Sequence, residues 1–298
     1  MSQRRQLGQQ LRAVVKVLCV SDAPDYEQPW QSQGPINSVG SGVIVETSRG
    51  LRVLTNAHCV ANHEFVEVRR YGKAQKVVAS VEAIGHECDL ALLEVDDESF
   101  FTGMAPVAIG KLPRLGDRVS VCGYPIGGER LSITEGIVSR IDLVCYAQSN
   151  RELLAVQIDA AINAGNSGGP VLKDGLLVGV AFQALDEGEQ IGYMIAPPVV
   201  KHFLKDLEDG TADGFPALGV TAQQLESRAH RRSLGLTDDQ TGGVLVKRVA
   251  HGGSAYNMLA PGDVLLAIEG EPVAADGTVE LRDGELVHYR YFVSRRHV

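Results

Sequence analysis

The stretch NAGNSGGP at Asn163–Pro170 surrounds Ser167 with three glycines and a proline. A serine hydroxyl is a weak nucleophile. It becomes reactive when a neighbouring base takes its proton and when N–H donors gather where negative charge develops on an attacked carbonyl. Glycine suits both needs, because it lets the backbone bend sharply and approach a ligand closely. A Gly-rich turn between two strands has the same composition, so the chemical reading depends on a base and an acid elsewhere in the chain. VLTNAHCV places His58 at the end of a strand-like run, and HECDLALLEV places Asp89 at the mouth of another. An imidazole held in one tautomer by a carboxylate is the partner that a serine nucleophile requires.

These residues must be brought together by short strands. From Ala13 to about Ala196, apolar or alternating runs such as AVVKVLCV, SGVIVE, LRVLTNA, LALLEV and LLAVQIDAAI are separated by turn residues. Eleven or twelve strands at this spacing predict an all-β sandwich or barrel. KDG between PVL and LLVGVAF predicts a tight hairpin. PPVVKHFLKDLEDG, with prolines at its start and Gly210 after it, predicts a terminal helix. The polar EDGTADG then separates a first unit, residues 1–210, from a second, residues 211–298. In that second unit a helix is expected around Gln223–Leu234, and an amphipathic run, DGELVHYRYFVSRR, closes the chain.

Composition narrows the function. The 298 residues carry 28 Lys and Arg against 37 Asp and Glu, a net charge of −9, which argues against a nucleic-acid partner. No apolar run approaches the roughly 18 residues of a membrane span. Met1–Lys16 holds four basic residues and no acid. It reads as a solvated arm or helix, with Leu7, Leu11, Val14 and Val15 at helical spacing, or else as the tail of a transit peptide. Five widely spaced cysteines (Cys19, Cys59, Cys88, Cys122 and Cys145) suggest buried thiols in a reducing compartment, not a disulfide framework. No Cys/His cluster has metal spacing, and neither a metal nor a cofactor is expected.

The chain order is His58, then Asp89 after 31 residues, then Ser167 after a further 78. On an all-β scaffold this is the order of the chymotrypsin-like double barrel. TNAHCV, CDLALLEV and GNSGGP together resemble the HtrA/Deg serine proteases. VCGYPIGGERLSITEGIVSRI and LLAVQIDAAINAGNSGGP look more narrowly like plant and algal Deg proteases. The resemblance implies two six-stranded barrels with Ser167 as nucleophile, His58 as general base and Asp89 as its orienting partner. The oxyanion hole would come from the backbone N–H groups of Gly165 and Ser167, with Asn166 beside them. It further implies an ATP-independent endopeptidase acting on unfolded or damaged proteins, assembled as a trimer or a multiple of trimers. The implied compartment is the chloroplast, nucleus or mitochondrion, in soluble form. A catalytically silent chaperone or peptide-binding scaffold is the alternative on the same fold. Tyr26 and Trp30 are expected either at the contacts between copies or as caps on a barrel.

Departures from the digestive members of the superfamily refine this picture. They carry an acid immediately before the serine, which pairs with a newly cut amine; here Asn166 has no charge to offer. Six residues before the nucleophile, where trypsin-like enzymes hold an Asp, stands Ala161, followed by Ile162. The specificity pocket is therefore expected to be small and apolar, favouring cleavage after Val, Ala, Ile or Leu. Cys59 follows the histidine as in those enzymes, yet the upstream VGSGVIV has no cysteine to bridge it, so a free buried thiol is expected. The second unit resembles an α+β PDZ-like domain. FPALGV would be its carboxylate-binding loop, with Leu218, Gly219 and Val220 offering N–H groups to a peptide C-terminus. The family's domain continues into a further strand, so the PDZ-like unit is expected to be truncated, with a sheet edge left unpaired.

Overall fold

The computed structural model describes residue 8 and residues 10–184 and 192–297. It divides into two compact units, residues 1–214 and residues 215–298. In the first, six strands close into a barrel: β1 (Val14–Ser21), β2 (Ile36–Thr47), β3 (Gly50–Thr55), β4 (His63–Arg70), β5 (Lys76–Gly85) and β6 (Leu90–Glu94), in spatial order β1-β2-β3-β6-β5-β4. Six more close a second: β7 (Arg118–Gly123), β8 (Ser132–Cys145), β9 (Glu152–Ile158), β10 (Pro170–Lys173), β11 (Leu176–Ala184) and β12 (Gly192–Ile195), in order β10-β11-β12-β9-β8-β7. The expected double barrel of twelve strands is the observed one.

The barrels close around rows of buried branched apolar side chains. Val14, Val15, Val17, Ile44, Val53, Leu54, Leu90 and Leu93 are fully buried in the first, and Leu154, Val156, Ile158, Leu177 and Ile195 in the second. Antiparallel closure leaves no open sheet edge to solvent. The KDG hairpin forms as read: Asp174 and Gly175 both take left-handed dihedrals, φ 49° and 82°, the pair that a two-residue primed turn demands. Helix α1 (Pro197–Asp206) follows the second barrel with Pro197 in its first turn and lays Phe203 against Gly85.

Several expectations needed correction. The strand takes over from the basic arm at Val14, so Val14, Val15 and even Lys16 are buried in β1, and among the described residues of the arm residue 8 and residues 10–12 are helical. Leu7 lies outside the described residues. Cys59 is a free, buried thiol as expected, but Cys145 is exposed at the end of β8. Tyr26 and Trp30 cap neither barrel, being 87% and 80% exposed in the β1–β2 connection.

The second unit has a three-stranded sheet with β14 (Val244–Val249) between β13 (Val220–Gln224) and β15 (Val264–Leu265). Two short ladders follow, β16 (Ala267–Ile268) with β17 (Glu271–Pro272) and β18 (Thr278–Arg282) with β19 (Glu285–His288), then helix α3 (Arg290–Ser294). Gln223 and Gln224, expected in a helix, pair with Leu245 and Val244 in β13–β14; the helix, α2, spans only Arg228–Ser233. Among the described residues no helix is long and apolar enough to cross a membrane.

Leu54 is fully enclosed in the first barrel. Leu54→Ala is expected to cost about 2–5 kcal/mol, read as a lower urea midpoint with an unchanged m value.

Candidate active site

Strand pairing brings His58 and Asp89 together. β3 and β6 run antiparallel with Thr55 opposite Ala91, so the turn that leaves β3 lies beside the turn that enters β6. The first turn is a single 3-10 turn, Ala57–Cys59, carrying His58. The second, His86–Cys88, ends on Asp89 in the left-handed region at φ 53°, which Asp tolerates better than most side chains. Asn56 Nδ2 donates to the Asp89 carbonyl at 2.8 Å and ties the two turns together. The Asp89 carboxylate, 1% exposed, then holds His58 at two points. Its Oδ1 accepts from the His58 backbone N–H at 2.9 Å, and its Oδ2 pairs with Nδ1 at 2.7 Å. With Nδ1–H committed to the carboxylate, Nε2 is the acceptor whenever the ring is neutral, which is the tautomer that a general base needs. Burial of the imidazole opposes its charging. The hydrogen bond to Asp89, with a smaller contribution from Cys59, outweighs this and pushes the pKa up to about 10.

Ser167 sits on the connection between β9 and β10. Gly165 and Gly168 have φ 95° and 80°, and a Cβ on either would collide with backbone, with Tyr124 O at 2.4 Å and with Ser41 O at 2.1 Å. These two positions require glycine twice over, for conformation and for space. The loop is docked onto the first barrel: Ser41 N–H donates to Ser167 O at 2.8 Å, and Cys59 Sγ lies 3.7 Å from the same oxygen. The Ser41 hydroxyl donates to Gly165 O at 2.7 Å and accepts from Tyr124 N–H at 2.8 Å. The residue after His58 thus touches the carbonyl of Ser167.

Within the loop, Asn166 N–H donates to Asn163 O at 2.9 Å, Gly168 N–H to Ala181 O at 2.8 Å and Gly169 N–H to Asn166 O at 2.9 Å. Among the described residues the N–H groups of Gly165 and Ser167 are engaged by no acceptor. The Asn166 N–H, by contrast, is spent on the turn itself. No hydrogen bond joins Ser167 Oγ to His58 Nε2; contacts of this kind commonly tighten only when substrate arrives.

Residues 40–180 match the family model of the trypsin-like peptidase domain. The chain is 46% identical over 290 residues to Protease Do-like 2, chloroplastic, of Arabidopsis thaliana, covering 96% of this chain and 47% of that protein. Over 156 residues it is 37% identical to Putative protease Do-like 6, chloroplastic, of the same plant, covering 52% of this chain and 69% of that one. The solved HtrA-type protease AlgW with decapeptide superposes with a TM-score of 0.69 at 25% identity, covering 96% of each chain. The chain belongs to the Do-like protease family. It spans about half the length of the curated relatives it matches.

Ala161 and Ile162 lie just upstream of the loop that carries Ser167. Thr134 Oγ1 donates to Ala161 O at 3.0 Å, and Ile162 covers Gly192, where a Cβ would come within 2.7 Å of its Cδ1. Asp159 accepts the Ile137 N–H at 2.5 Å. In the second unit, Leu218 O and Gly219 O accept from Ala255 and Ala250 N–H at 3.2 and 2.7 Å, while no backbone acceptor takes the N–H of Leu218 or Gly219 among the described residues. Val220 opens β13, an edge strand. The sequence reading missed Ser41, Asn56 and Tyr124. Asn56 had a signal, a polar residue directly before the His58 turn; Ser41 and Tyr124 act through backbone partners distant in sequence. Among the described residues no group of His, Cys, Asp and Glu could hold a metal ion.

The imidazolium must lose its proton before Nε2 can act as a base, and the raised pKa moves that loss to higher pH. The acidic limb of the kcat/KM–pH profile is expected above the ordinary histidine value of about 6.5, with activity rising toward alkaline pH. Asp89→Asn is expected to lower kcat on the order of 10⁴-fold and to draw that limb back toward the ordinary value. The stability supplied by the pair runs the other way: it is complete below the unfolded-state value and fades as pH rises toward the folded one.

Proposed function

We propose that the chain is a serine endopeptidase in which Ser167 Oγ attacks the scissile carbonyl while His58 Nε2 takes its proton. Asp89 holds the resulting imidazolium, and the Gly165 and Ser167 N–H groups receive the oxyanion. His58 then returns the proton to the leaving amine, and water repeats the sequence on the acyl-enzyme. The observation that carries this reading is the two-point hold of Asp89 on His58 beside a loop whose Gly165 and Ser167 donors are unengaged. Each such donor is worth about 3 kcal/mol of barrier.

The substrates are unfolded or damaged proteins, cut without ATP after small apolar residues. The apolar Ala161 and Ile162 and the closed wall at Gly192 support that preference. The working form is a trimer or multiple of trimers, with exposed Tyr26 and Trp30 available for contacts between copies. The unit from residue 215 is PDZ-like, offering the N–H groups at Leu218, Gly219 and Val220 and the β13 edge to a peptide C-terminus. The names of the relatives support a chloroplast or mitochondrion as the compartment. The unformed Ser167–His58 hydrogen bond favours one second reading, a chaperone that is silent until its loops are ordered.

A fluorophosphonate probe is expected to label Ser167 and casein to be degraded, both lost in Ser167→Ala. Absence of labelling together with suppressed client aggregation would establish the silent chaperone instead. A peptide-library digest is expected to show cleavage after Val, Ala, Ile and Leu; cleavage mainly after Lys or Arg refutes the pocket.

A further inference from the structure

Lys16 and Arg69 face each other directly across the β1–β4 ladder of the first barrel. Two cations in opposed positions repel, and the Lys16 side chain is only 4% exposed, so its charge requires a partner. That partner comes from the second barrel. Glu129, in the connection between β7 and β8, takes Lys16 Nζ on Oε1 at 3.0 Å and Arg69 Nη1 on Oε2 at 2.6 Å. Its own carbonyl accepts Arg69 Nη2 at 2.8 Å, and Gly128 O lies 3.5 Å from Lys16 Nζ. Three atoms of one residue are thus committed to two strands of the other barrel, although the Glu129 side chain is itself 75% exposed.

The same connection abuts the oxyanion loop. Ile126 N–H donates to Ala164 O at 2.8 Å, and the Tyr124–Ile126 backbone lies so close to Gly165 that a Cβ there would meet Tyr124 O at 2.4 Å and Ile126 N at 2.7 Å. Ala164 C=O and Gly165 N–H belong to one planar peptide, so fixing the direction of the carbonyl fixes that of the N–H.

We propose that Glu129 is a positioning residue: by tying the 124–131 connection to Lys16 and Arg69 it sets the Ala164–Gly165 peptide and so aims the Gly165 N–H at the developing oxyanion. This inference rests on the reading of Gly165 as an oxyanion donor. The ionic tie spans the two barrels, so formation of the donor depends on the barrels being docked together.

The test compares Glu129→Gln, Glu129→Asp and the pair Lys16→Met/Glu129→Gln, each verified as folded by its thermal transition. Glu129→Gln is expected to lower kcat about 10- to 100-fold with KM within about twofold, as loss of aim at a transition-state donor requires. Glu129→Asp is expected to recover part of kcat. Amide exchange, followed by mass spectrometry on fragments covering 124–131 and 163–170, is expected to quicken in Glu129→Gln while the rest of the second barrel keeps its protection. Where Glu129→Gln is unstable because Lys16 is left buried without a partner, the double variant restores the fold without restoring kcat. Unchanged exchange at 124–131 in a folded variant overturns the inference, whatever kcat does. If wild-type protein neither labels at Ser167 nor cleaves casein, the proposed function fails separately, and the exchange measurement still decides whether Glu129 holds the loop.

Discussion

A carboxylate removed from water must be surrounded by donors, and at Asp89 that requirement organises the His58 end of the first barrel. Its two oxygens take the backbone N–H and the ring N–H of a single residue, His58. Because one of those donors is main chain, the bond fixes the path of the Ala57–Cys59 turn as well as the rotation of the imidazole. Asn56 closes the arrangement from the other side by holding the Asp89 carbonyl. Burial strengthens each of these bonds and makes an unpaired charge costly. The imidazole therefore has one favourable position, and the raised pKa is the electrostatic signature of the same contact.

The nucleophile loop obeys a different constraint, one of space. Its glycines are needed because backbone from both barrels comes within contact distance: Ser41 of β2 beside Gly168, and Tyr124 to Ile126 beside Gly165. The β2 residue Ser41 serves this loop twice, with its N–H on Ser167 O and its hydroxyl on Gly165 O, and the same hydroxyl accepts from Tyr124 N–H. The Ser167 loop is thus assembled at the seam between barrels, with His58 and Asp89 supplied by one and Ser167 by the other.

How much of this was legible in the sequence follows from which partners are local. The twelve strands and the KDG hairpin rest on short-range pattern and turn chemistry, and both form where they were read. His58, Asp89 and Ser167 stood out because residue type and surrounding motif announced them. The role of Ser41 was hidden, since its partners lie more than 80 positions away. Lys16 read as part of a solvated basic arm, and only the pairing of β1 with its neighbours buries it. Gln223 and Gln224 favour a helix locally, but their register against β14 prevails. Tertiary pairing decided each of these cases against local preference.

Asn166 shows why the seam matters for chemistry. It is buried directly before the nucleophile, its N–H and C=O are both spent inside the turn, and its Oδ1 has no hydrogen-bond partner among the described residues. A neutral amide at this position cannot capture a charged amine, so no ion pair formed there can organise the loop from within. The order of the loop must come instead from neighbours that touch it through backbone: Ser41, the Tyr124–Ile126 segment, and Ala181, which accepts from Gly168 N–H. Those neighbours belong to both barrels and to the β7–β8 connection. The geometry of the Gly165 and Ser167 N–H groups is consequently a property of how these pieces dock, and a change far from Ser167 that shifts any one of them reaches Ser167 through the peptide planes of the loop.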